Sequence, residues 1–210
     1  MSLKRIGITM RQEAALHTGE TRDQLAADWA RYFAEALPSA VPVPLFNHPE
    51  KVSAWADRLA LDGIILSGGG SPADGSRRDQ TERALLRWSL DRQRPVLGIC
   101  RGFQAIQTAL GGTLHKVENH VQQMHSIRFS NPALRPRKVN SFHDDGILTL
   151  ADGLTATAWA EDGSIEAAVG QKGLWLGLMW HPEREVTSDP QDKQTIQALF
   201  NLTSQARDLE

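Results

Sequence analysis

The sequence has a single cysteine, a single tyrosine and no surplus of either charge. One thiol forms no internal disulfide, which excludes the stapled framework of small secreted domains. Lys and Arg number 23 against 25 Asp and Glu, a formal net charge of −2, so nothing draws the chain generally to phosphate backbones or anionic lipid. Its apolar runs fall far short of the roughly 20 residues that a spanning helix needs, and the opening Met1-Ser2-Leu3-Lys4-Arg5-Ile6 has no apolar stretch of signal-peptide length. The expectation is a cytoplasmic protein with no nucleic-acid or membrane partner. Internal repeats, low-complexity tracts and linkers are also missing, so residues 1–210 are expected to form one domain, a length at which a core stands without disulfide or metal.

What is present is an alternation of short β-rich apolar runs with longer helical patterns. That pattern predicts an α/β fold, a mostly parallel central sheet with helices on both faces, of the flavodoxin-like kind. Ile6–Met10 reads as the first strand. Asp23–Leu37 reads as a helix, with Leu25, Trp29, Tyr32, Phe33 and Ala36 on one face and Pro38 as its stop. Ala40–Leu45 carries two prolines and is placed near a sheet edge. Residues 50–60 form an amphipathic segment. Gly63–Leu66 is a buried strand running into Ser67-Gly68-Gly69-Gly70-Ser71-Pro72, a glycine loop at a strand's carboxyl end, where open α/β sheets place their sites. Asp79–Arg92 reads as a helix, Pro95–Ile99 as a central strand and Gly102–Leu110 as a helix closed by Gly111-Gly112. Short strand candidates follow to about Leu154, then strands at Glu166–Val169 and Trp175–Trp180, and a last helix at Gln191–Thr203.

Between the central strand and its helix stands Gly98-Ile99-Cys100-Arg101-Gly102. A nucleophile in such a turn sits on a sharp, strained bend with small residues on either side, which lets strand and helix approach closely. The position at a helix N-terminus favours thiolate over thiol, and the Arg101 N–H points to where an oxyanion would form. A cysteine at a tight junction is also a common packing residue, so a partner base must decide. His181 supplies one: it follows the last buried strand directly, and Glu183 stands two residues on, placed to orient the imidazole and fix its tautomer.

Gly98-Ile99-Cys100-Arg101-Gly102-Phe103-Gln104, the upstream glycine loop and His181-Pro182-Glu183 together resemble the class I glutamine amidotransferase superfamily. Arg5-Ile6-Gly7-Ile8-Thr9 with Arg11, and Val139-Asn140-Ser141-Phe142-His143, are more similar to its γ-glutamyl hydrolases than to its ammonia-supplying subunits. Glu118-Asn119 and Met179-Trp180-His181-Pro182-Glu183-Arg184-Glu185 bring the resemblance closest to the γ-glutamyl-CDP-amidate hydrolase group. Hydrolases of γ-glutamyl-GABA usually carry His-His-Gln where this chain has His143-Asp144-Asp145, which puts a GABA adduct in doubt.

The resemblance implies that Cys100 attacks a γ-glutamyl carbonyl, that His181 carries the proton and that Glu183 orients it. It implies a γ-glutamyl thioester that water resolves to glutamate. The oxyanion hole falls to the N–H groups of Arg101 and Gly69, and substrate binding to Gly68, Gln104, the backbone of Ser141 and Phe142, and His143. The expected partner is a small γ-glutamyl substrate. A γ-glutamyl-GABA hydrolase or a glutaminase subunit feeding a synthetase is the alternative, and a homodimer or a partner ligase stays open. No cofactor is expected. His115, His120 and His125 are spaced by five, which fits neither one helix face nor one strand face, so no metal site is expected either.

Overall fold

A computed structural model describes residues 3–15, 17–72 and 75–202. The strands are β1 (Lys4–Thr9), β2 (Arg11–Ala14), β3 (Thr21–Gln24), β4 (Ala40–Leu45), β5 (Gly63–Leu66), β6 (Val96–Ile99), β7 (His115–Lys116), β8 (Val121–Phe129), β9 (Arg137–Phe142), β10 (Asp145–Gly146), β11 (Leu154–Ala160), β12 (Ile165–Gly170) and β13 (Trp175–Leu178). The helices are α1 (Asp28–Ala36), α2 (Val52–Arg58), α3 (Arg77–Arg92), α4 (Arg101–Ala109) and α5 (Pro190–Leu199).

Nine strands form one sheet in the order β4-β1-β5-β6-β13-β12-β11-β8-β9. From β4 to β13 every pairing is parallel. Counted along the chain, those five strands have the order 2-1-3-4-5, the flavodoxin-like winding. Beyond β13 the sheet continues through antiparallel pairings to β9. The two-proline strand β4 lies at the edge, as expected, where missing N–H donors cost least.

Alternation along the central strands divides the core. Ile65, Leu97 and Ile99 face α1 and α5 with Trp29, Tyr32, Phe33, Ile196 and Phe200, while Ile64, Leu66 and Val96 face α2, α3 and α4 with Val52, Ala56, Leu85, Leu86 and Ile106. Helices therefore cover both faces. Two helix ends carry local signals: Ser76 caps α3 by accepting from the Asp79 N–H at 3.0 Å, and Asp189 caps α5 ahead of Pro190.

The helix expected at Asp23–Leu37 begins only at Asp28. Residues Thr21–Gln24 instead pair as β3 with β2 in a hairpin. The Asp23 carboxylate accepts from Gln12 Nε2 at 3.1 Å and from the Asn47 N–H and Nδ2 at 2.9 and 2.7 Å. Such tertiary bonds to an Asp outweigh a weak helix preference. The final helix ends at Leu199, and Thr203 lies outside the described residues.

Candidate active site

Three neighbouring parallel strands end on the same rim. β5 delivers the glycine loop, β6 delivers Cys100 and β13 leads through Met179 and Trp180 to His181. The register pairs Ile99 with Leu178, and the Cys100 N–H donates to the Leu178 carbonyl at 2.6 Å.

Cys100 has φ 49° and ψ −106°, a conformation that side chains other than glycine rarely adopt. Its neighbours must be glycines for steric reasons. A Cβ on Gly102 would lie 2.0 Å from the Leu66 carbonyl oxygen, and one on Gly98 would lie 2.7 Å from the Gly102 carbonyl group. The elbow is therefore held by close backbone contacts on both sides of the thiol.

Expected thiolate character is not what the surroundings produce. Burial pushes the Cys100 thiol up to about 12, with Glu183 and Glu166 adding to the rise, while the Arg101 N–H and Arg184 only partly oppose it. At neutral pH the thiol keeps its proton, so a base must take it as the sulfur attacks.

His181 is buried, and its Nδ1 donates to Glu183 Oε1 at 2.7 Å. A carboxylate only accepts, so the proton lies on Nδ1 and Nε2 presents its lone pair. Pro182–Arg184 form a single tight helical turn that folds Glu183 back under the imidazole. Two residues that the sequence reading passed over pin this turn. Asn140 accepts from the His181 N–H and donates to the His181 carbonyl, both at 2.9 Å. Arg31 on α1 donates to the carbonyls of Glu183 and Glu185 at 2.9 and 2.7 Å. Asn140 was within reach of sequence reading, since it lies in the Val139–His143 motif; Arg31 carried no local signal.

Arg101 turns its side chain away from the site into a buried ion cluster with Asp79 and Glu82 on α3. Glu82 also binds Arg78 at 3.0 Å and Thr9 Oγ1 at 3.1 Å. Arg78 in turn collects the carbonyls of Ser67, Gly68 and Gly69 at 2.6, 3.2 and 2.7 Å. One network thus fixes both the elbow and the glycine loop, and sequence periodicity alone presents its members as an ordinary charged helix face.

A cavity of about 270 Å³ is lined by Cys100, His181, Gly69, Gln104, Phe142 and His143, with Arg11 and Arg184 at its edge. Phe142 stands edge-on to the His181 ring at 5.6 Å, and Arg184 lies 4.4 Å from the Phe142 ring centre. Gln104 is buried and donates to the Asp145 carbonyl at 2.7 Å. Gly68 backs the imidazole: a Cβ there would meet His181 Cε1 at 2.5 Å. Gly69 has φ +92°. The Ser141 side chain, which has no part in the expected backbone contact, donates to the His120 carbonyl at 2.6 Å. His143, a loop histidine by sequence, is also buried.

Of the three histidines considered for metal, His115 stands apart beside Thr113. His120 and His125 do meet, with ring centres 4.5 Å apart. Gln122 has φ 53° at a bulge between Val121 and Gln123. That extra residue restores His120 and His125 to the same strand face, which the spacing of five could not reveal.

Fold and elbow together define the class, a class I glutamine amidotransferase-like enzyme. The chain belongs to the Peptidase C26 family, whose profile matches residues 5–183. It is 33% identical over 187 residues to the γ-glutamyl-CDP-amidate hydrolase of Campylobacter jejuni, covering 86% of this chain and 90% of that one. Identity to the γ-glutamyl-γ-aminobutyrate hydrolase of Escherichia coli O157:H7 is 30% over 190 residues, 71% and 74% of the two chains. A glutamine amidotransferase of Thermotoga maritima superposes with a TM-score of 0.66 at 17% identity, over 87% of this chain and 77% of that one, which shows the shared fold. Family and relatives make the protein an enzyme acting on C–N bonds. Among the described residues no helix is long and apolar enough to cross a membrane.

Proposed function

We propose that the protein hydrolyses a γ-glutamyl amide through a γ-glutamyl thioester on Cys100. The observation that carries this reading is the His181–Glu183 bond of 2.7 Å beside a cavity that His181 shares with Cys100. Nε2 of His181 takes the thiol proton as sulfur attacks the γ-carbonyl carbon, and the oxyanion is received by the N–H groups of Arg101 and Gly69. The C–N bond then breaks as the imidazolium returns the proton to the leaving nitrogen. Water, deprotonated by His181, attacks the thioester, glutamate leaves, and the thiol is restored.

For the leaving group we infer a nucleotide amidate of the γ-glutamyl-CDP type. The 33% identity to the C. jejuni hydrolase over most of both chains supports this. So does the pair Arg11 and Arg184, which lines both the catalytic cavity and the pocket next to it and would meet phosphate oxygens there. Lys116 and Arg22 do not share this role, because they line neither pocket; Arg11 would exchange its ion pair with Glu13 for the phosphate.

Glutamate release is to be compared across γ-glutamyl-CDP-amidate, γ-glutamyl-GABA and glutamine. The expected order puts the nucleotide amidate first, with Cys100→Ala inactive on all three and Glu183→Gln impaired to a smaller degree. Near-normal turnover by Cys100→Ala would end the thioester reading, and a preference for γ-glutamyl-GABA or glutamine would end the nucleotide one.

A further inference from the structure

His143, which lines the cavity, belongs on its other side to a cluster that the proposed steps do not use. His120 precedes β8, His125 lies on it, His143 follows β9 and Glu166 stands on β12. All are largely buried, and Glu166 is 0% exposed. Glu166 Oε1 lies 3.6 Å from His120 Nδ1 and 3.6 Å from His143 Nε2. None of these three atoms has a hydrogen-bond partner among the described residues.

The outer ring nitrogens show which form each imidazole takes. His120 Nε2 bonds Asp162 Oδ2 at 2.9 Å, and His143 Nδ1 bonds the Asp145 carbonyl at 3.1 Å. A carboxylate and a carbonyl only accept, so each outer nitrogen carries a proton. With both rings in the neutral form, two lone pairs face a carboxylate oxygen with nothing positive between them. Extra protons or a cation would resolve this.

Two features favour the cation. The inward atoms of His120, His143 and Glu166 all lie within 4.8 Å of one another, and the two gaps to Glu166, 3.6 Å each, are close to the ~3.4 Å between neighbouring ligands on a tetrahedral ion with bonds near 2.0–2.1 Å; the gap between the two imidazoles closes to that value on binding. The outer N–H bonds, one to a carboxylate and one to a backbone carbonyl, are those that orient metal-bound histidines. A neutral imidazole and an ionised carboxylate are the forms that ligate.

We propose that His120, His143 and Glu166 bind a divalent cation of the zinc class. His125 Nε2 lies 3.3 Å from Glu166 Oε2 without a hydrogen bond to it, and Asp162 and the Asp145 carbonyl orient the rings. Bound there, the ion ties β8, β9 and β12 together directly behind Phe142, which packs on the catalytic imidazole.

The test strips the purified protein with chelator and titrates it with Zn²⁺ and with Co²⁺. One equivalent should bind, the cobalt form showing the strong visible absorption of a tetrahedral site. Cys100→Ala should bind equally, since this separates the cluster from a thiolate–imidazole site in the catalytic cavity. Glu166→Gln should lose stoichiometric binding. Exposed Asp162 gives a variant that leaves the packing intact, and Asp162→Asn should weaken Zn²⁺ about 10–100-fold. Absence of stoichiometric binding by the wild type, loss of it in Cys100→Ala, or undiminished affinity in Asp162→Asn each overturns the proposal. With no metal bound, shared protons on the cluster would be the answer, visible as histidine titrations by NMR.

Discussion

At the scale of single residues, the site depends on atoms that are missing as much as on those present. Gly68 has no Cβ, and the His181 ring occupies the space where one would project, 2.5 Å from Cε1. Gly68→Ala should therefore displace the imidazole by a fraction of an ångström to an ångström. Misplacement on that scale costs on the order of 100-fold in rate. Steady-state kinetics should show the loss mainly in kcat, with the melting temperature little changed, and an unaltered kcat would mean that the ring is not held against this glycine. The buried thiol makes a separate prediction. Folding raises Cys100 from 9.0 to about 12, so between those values the unfolded chain releases a proton that the folded chain retains. Stability then falls as pH rises, by about 1.4 kcal/mol per pH unit from this group. It is fully present below pH 9. Melting curves from pH 8 to pH 11 should drop less steeply for Cys100→Ala than for the wild type, and parallel curves would show that the thiol does not contribute.

At the scale of elements, the interior ion cluster joins α3, α4, β1 and the glycine loop. Glu82 is 1% exposed and serves Arg78, Arg101 and Thr9 at once. Glu82→Gln leaves two guanidinium groups short of compensation, and breaking such a buried pair costs roughly 3–5 kcal/mol. Calorimetry should show that loss together with a fall in kcat, because Arg78 fixes the glycine-loop carbonyls and Arg101 is the proposed source of the oxyanion N–H. A stability change below 1 kcal/mol, on the order of a surface pair, would refute this account of the cluster. The same elements show what a linear sequence carries. β1, β5, β6 and β13 were legible because each is an unbroken apolar run, and the meeting of Cys100, His181 and Glu183 in one place was legible because each stands at the end of such a run or just beyond it. The β2–β3 hairpin was not, since Asp23 is recruited by Asn47, a partner 24 positions away. Nor was the meeting of His120 with His125, which depends on one positive φ at Gln122. Long-range partners and bulges leave no periodicity to read.

Across the whole molecule, the sheet joins two halves and the site lies on their seam. The parallel half carries the glycine loop, Cys100 and His181, and the antiparallel half carries Asn140, Phe142 and His143 on and just after its edge strand β9. Asn140 is the direct tie, because its one side chain satisfies both backbone groups of His181. It is 7% exposed, so water cannot readily take its place. Asn140→Ala should leave a buried N–H and a buried carbonyl unpaired, at about 1–3 kcal/mol for each group left unsatisfied. In a chain of this size each kcal/mol lowers the melting temperature by about 2–4 °C. Because the bond from His181 to Glu183 is made within the turn itself, the catalytic pair should survive in Asn140→Ala. What is lost is its position relative to the cavity wall that Phe142 completes. Both kcat and KM should therefore worsen, while reaction of Cys100 with a glutamine-like electrophile persists at a reduced rate. If Asn140→Ala kept wild-type kinetics and melted at the wild-type temperature, the two halves would have to be joined through Phe142 and the His143 cluster rather than through this amide.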